Sequence, residues 1–138
     1  MEAVNVVRTA GALQLLQAPL MSLAAKKLGW TAELSRLSPV NRLLFEAIGR
    51  GIVIYVMGTG LIVFFQAEAM LATTLGRSLC VLQAVAWGAR LGSQLFGIRQ
   101  LMPLEARAFS RVATSVYASL AILYSAVCAW LALAPSAG

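Results

Sequence analysis

Residues 78–98 read SLCVLQAVAWGARLGSQLFGI, and whether this run counts as one apolar helix decides how often the chain can cross a membrane. A hydrocarbon core of about 30 Å takes roughly 17–25 helical residues at about 1.5 Å of rise each. The run is long enough only if Arg90 lies inside it. An ionised group near the bilayer centre costs at least about 2.5–3.5 kcal/mol on insertion scales. Arg90 is therefore expected to face protein and not lipid.

The rest of the chain divides in the same way. Between Arg8 and Lys26 lie seventeen uncharged residues, TAGALQLLQAPLMSLAA, weakened as a span by Gln14, Gln17 and Pro19. Between Arg50 and Glu68 lie another seventeen, GIVIYVMGTGLIVFFQA, and Val112–Ala134 carries no charge at all. Pro135, Ser136 and Gly138 then release the chain. The reading is an all-α, polytopic membrane protein: one membrane domain over 1–138, a four-helix bundle with transmembrane helices at about 4–25, 43–67, 70–98 and 108–134 and a basic linker at 26–42.

Composition agrees with lipid as the main solvent, since 60% of residues are hydrophobic, only 12% are charged and the mean hydropathy is +0.82. There is no His and no Asp, and the carboxylates are confined to Glu2, Glu33, Glu46, Glu68 and Glu105. A His-based triad and a His/Asp metal site are thereby excluded. Cys80 and Cys128 stand alone, outside any CxxC spacing, and read as buried free thiols ahead of a disulfide. The net charge of +6 is spread between apolar runs, which does not suit a nucleic-acid surface.

The basic residues instead follow the rule for membrane loops. Lys26, Lys27, Arg36, Arg42, Arg50, Arg99, Arg107 and Arg111 fall on one side of the spans, against Arg8 and Arg77 on the other. The rich side is expected to be cytoplasmic, which puts both termini outside, as in a multi-pass protein of a bacterial inner membrane. Ser22–Ala24, SLA, resembles a signal-peptide cleavage site, but cleavage there would place the basic 26–42 linker outside, so retention as the first helix is favoured. Within that linker Ser38-Pro39 reads as a stop and Trp30 as an interface anchor, with room for a short helix on the membrane surface.

Depth along each helix predicts a polar layer. Arg90 is nine residues from Arg99, about 13 Å inside. Gln17, Thr59 and Ser119 lie eight or nine residues from Lys26, Arg50 and Arg111, and so fall at the same level. Gln83 and Gln94 share the Arg90 face of the third helix. With Glu46 and Glu68 near the ends, the expected acceptors for Arg90 are Gln17, Thr59, Ser119 or carbonyls near Gly58 and Gly60. Glu46 is expected to pair with Arg50 one turn on.

Gly88 and Gly92 form a GxxxG pair, expected to be a close-packed seam, more readily inside the bundle than between two copies. Tyr117, Ala121, Tyr124 and Cys128 form one stripe, read as interhelical packing. No catalytic, metal-ligating or cofactor-binding residue emerges. The leading expectation is a non-catalytic structural or accessory subunit acting through helix packing, with membrane lipids as partners and a homodimer or larger complex open to it. The alternative is a small carrier or binder of a lipid or amphipathic anion, with Arg90 at its polar layer.

Overall fold

The computed structural model describes residues 2–101, 104 and 107–133. Among these there is no strand, and the chain is all-helical. The helices are α1 (Glu2–Leu15), α2 (Gln17–Lys27), α3 (Trp30–Ser35), α4 (Pro39–Phe65), α5 (Ala67–Ala72), α6 (Thr74–Ser93), α7 (Arg99–Leu101) and α8 (Arg107–Leu133), with a π-helical turn at Gln94–Ile98 between α6 and α7. Ala134 and the Pro135–Gly138 release lie outside the described residues.

Local chemistry sets the boundaries. Pro19 has no N–H, and its ring crowds the carbonyl four residues back, that of Leu15. The first rod accordingly breaks into α1 and α2 at Leu16. Gly29, in the left-handed region at φ 63°, ends α2 and turns the chain into α3, the short helix expected in the basic linker. Ser38 caps α4, its hydroxyl accepting from Asn41 N at 3.4 Å, with Pro39 in the first turn. Thr73 does the same for α6, accepting from Gly76 N at 3.0 Å.

Packing follows a spacing of three and four. On α8 the buried positions are Ser110, Ala113, Tyr117, Leu120, Tyr124 and Val127; on α6 they are Gly76, Cys80, Gln83 and Trp87. α1 is the central helix, set between α4 and α8, and α6 lies on the far side of α8. α1 and α4 touch closely at Gly11, where an added Cβ would lie 2.7 Å from Phe64 N. α5 crosses from α1 to α6 and closes one end of the bundle. The other end, which carries the basic linker, stays splayed.

Among the described residues two helices, Pro39–Phe65 and Arg107–Leu133, are long and apolar enough to cross a membrane, and little of either is buried in the protein. α6 is long enough but carries Arg77, Gln83 and Arg90, and the first rod is cut at Leu16. Large apolar side chains point outward all round, among them Val40, Phe65, Leu75, Val85 and Ile122.

Candidate functional site

At the splayed end, a cleft of about 670 Å³ opens between the α2–α4 half and the α6–α8 half, within the usual range for ligand sites. Most of its wall is apolar, formed by Leu20 and Met21 of α2, Val53 and Ile54 of α4, and Phe109 and Ala113 of α8. Trp30 and Leu34 of α3 border it, so the linker helix forms part of the rim. Its polar groups are few and mostly cationic or neutral: Gln17, Ser22, Glu46, Arg50, Arg90, Gln94 and Tyr117.

Arg90 is exposed towards this cleft and anchored on one side only. Its guanidinium lies over the Tyr117 ring, 5.0 Å from the centroid, and donates to the Tyr117 hydroxyl at 3.3 Å. Trp87, one turn before Arg90, stacks on the other part of this assembly, with its ring centroid 6.1 Å from that of Tyr117. Tyr117 therefore takes the place of the acceptors expected from depth. Depth along an axis says nothing of the angle around it, and on α8 the inward angle at this level belongs to Tyr117. Ser119, two residues on, points away and is exposed.

The expected polar layer divides into separate groups. Gln17 is 2% exposed, lines the cleft with Arg90, and its amide nitrogen has no hydrogen-bond partner among the described residues. Gln94, carried round by the π-helical turn, donates to Ser110 Oγ at 3.0 Å. Gln83 is fully buried, and both amide atoms are without a partner, as is the indole nitrogen of Trp87. Thr59 does not meet Arg90. It accepts a short bond from the Gln14 amide nitrogen, which also donates to the Val56 carbonyl at 3.2 Å, while Tyr124 donates to Gln14 Oε1 at 2.8 Å. This node joins α1, α4 and α8. Gln14 was legible only as an interruption of an apolar run. Its position on the stripe Val7, Ala10, Gly11 was the signal that it faces inward.

Two further expectations are corrected. Glu46 pairs backward with Arg42, Nε to Oε1 at 2.9 Å, and not forward with Arg50. The pair sits nearer the open end of α4, where both partners keep their hydration. Arg50 then faces the cleft with no ion pair among the described residues. The seam expected inside the bundle at Gly88 and Gly92 is not formed there: Gly88 is exposed, and an added Cβ at either glycine meets nothing within 4 Å. The inward face of α6 is taken by Cys80, Gln83 and Trp87, and Gly88 falls on the opposite side. The stripe of Tyr117, Ala121, Tyr124 and Cys128 does pack inward, and both cysteines are free.

At the closed end Arg8 meets Glu68 at 3.4 Å, an exposed pair across α1 and α5. The cleft thus sets two arginines beside an apolar wall, and among the described residues its lining has no His, Cys or Asp. Comparison with protein-family models, curated proteins and solved structures finds no match to this chain.

Proposed function

We propose that this is a multi-pass membrane protein without catalytic chemistry whose cleft binds an amphipathic anion, in preference to a purely structural role. The observation that carries the reading is the splayed end itself: an apolar cleft edged by Arg50 and Arg90, neither paired with a carboxylate among the described residues, beside the Gln17 amide nitrogen, which has no partner among them. An apolar site with a few convergent polar groups is the usual form of a ligand pocket. The four rods are taken to cross the bilayer in turn, in a bacterial-type inner membrane, with the basic linkers cytoplasmic and both termini outside. The two long apolar helices and the outward apolar side chains support a place in the membrane, and the orientation rests on the distribution of basic residues in the sequence.

Native mass spectrometry of the protein purified in mild detergent tests the reading. An amphipathic anion retained at one per protomer, and held more weakly in Arg90→Gln, is the expected result. Protein that carries none, and takes up none when supplied, would sink it.

The accessory-subunit reading keeps one specific support, the outward and uncontacted Gly88–Gly92 face, which suits close approach by a helix of another chain. A stable larger complex, dissociated by Gly88→Leu while anion binding persists, would favour that role.

A further inference from the structure

The cleft's polar groups arrive from three helices. Arg50 comes from α4, Arg90 from α6 and Gln17 from α2, so donors approach one space from different directions. Glu46, the carboxylate on this wall, is engaged by Arg42 at 2.9 Å. Arg90 spends one donor on Tyr117, and a guanidinium has five. Gln17 is 2% exposed, with an amide nitrogen that finds no acceptor among the described residues. A buried donor is expensive to leave unmade, and a bound acceptor would satisfy it.

The shape of this donor set discriminates between anions. A carboxylate is planar, and a single guanidinium fork satisfies both of its oxygens. Donors borne on three different helices around one cleft suit a phosphate, whose oxygens diverge tetrahedrally. Free phosphate would leave the apolar wall of Leu20, Met21, Val53 and Ile54 without a partner. A phospholipid fills both parts. Lys26, Lys27, Arg36 and Arg42 near the rim would raise the local concentration of anionic lipid.

We propose that the cleft takes a phospholipid, its phosphate between Arg50, Arg90 and the Gln17 amide and its acyl chain along Leu20, Met21, Val53 and Ile54. The proposal rests on the reading of the cleft as a site for an amphipathic anion, and adds the headgroup chemistry.

The test uses the full chain, delipidated in a neutral detergent and titrated separately with phosphatidylglycerol, oleate and inorganic phosphate, read by native mass spectrometry and thermal shift. One phosphatidylglycerol per protomer is expected. Arg50→Gln with Arg90→Gln together should weaken it by about tenfold or more, and Gln17→Leu by roughly threefold to tenfold. Arg107→Gln with Arg111→Gln removes the same two charges from exposed sites outside the cleft and should leave binding unchanged. Gln17→Leu removes an unpartnered buried amide and should fold, so it carries the test if the double variant does not.

Oleate binding as tightly as the phospholipid would overturn the phosphate assignment and leave the amphipathic-anion reading standing. Inorganic phosphate binding equally well would overturn the lipid source. Phospholipid binding indifferent to Arg50, Arg90 and Gln17 would remove it from the cleft. Binding of none of the three would overturn both readings.

Discussion

Tyr124 and Gln14 carry the most connected polar contact in the interior, a 2.8 Å bond between fully buried side chains. Interhelical hydrogen bonds in membrane proteins average about 0.6 kcal/mol and reach about 1.7. Tyr124→Phe, which leaves the Gln14 oxygen unserved, is expected to destabilise the protein by about 1 kcal/mol, seen as a lower Tm in detergent. Gln83 is the opposite case. Both of its amide atoms are buried without a partner, so Gln83→Leu, of similar size, should hold or raise Tm. A fall of several degrees would mean that the amide is satisfied in solution. That these residues face inward was readable from their three-and-four spacing. Which of them meet was not, because a bond such as Tyr124 to Gln14 joins residues on helices whose relative rotation no single helix encodes.

Glycines distinguish the helix faces. At Gly11 an added Cβ would lie 2.7 Å from Phe64 N and 2.9 Å from its Cα, backbone atoms that cannot step aside. Gly11→Ala is expected to cost about 1–3 kcal/mol by forcing α1 from α4. At Gly88 nothing lies within 4 Å. Gly88→Ala should be neutral or stabilise an isolated protomer by about 0.5–1 kcal/mol, since glycine is a poor helix former. Equal melting temperatures for the two alanine variants would show that the α1–α4 contact is looser than described. The sequence marked Gly88 and Gly92 as the tight seam, whereas the close approach lies at Gly11. A GxxxG pair signals that a helix face is smooth, and leaves open which face is covered.

At the scale of the whole molecule the charges and the contacts agree on two ends. Arg36, Arg42 and Arg50 lie at the splayed end, and Arg8 with Glu68 at the closed one. An impermeant thiol reagent applied to intact cells should therefore label a cysteine introduced at Glu2 and spare one introduced at Ser35. Labelling of Ser35→Cys from outside would reverse the topology. The helical class was legible because hydrophobic runs and charges punctuate the chain, whereas the break of the first rod at Leu16 was not. The cleft was not, since it exists only between helices that fail to pack, and absent contacts leave no mark on periodicity.

Gly76 has a mechanical corollary. Its Cα sits so close to the α5 backbone that an added Cβ would lie 2.6 Å from the Ala69 carbonyl oxygen. α6 carries Arg90 fourteen residues beyond this corner, on an arm of about 21 Å. A rotation of about 5° at such a pivot moves the Arg90 backbone by about 2 Å, comparable to the length of a hydrogen bond. Gly76→Ala is thus expected to loosen ligand retention from the opposite end of the molecule, measured as phosphatidylglycerol bound per protomer, while the cleft's own side chains stay intact. Unchanged retention would mean that the corner yields locally and transmits nothing.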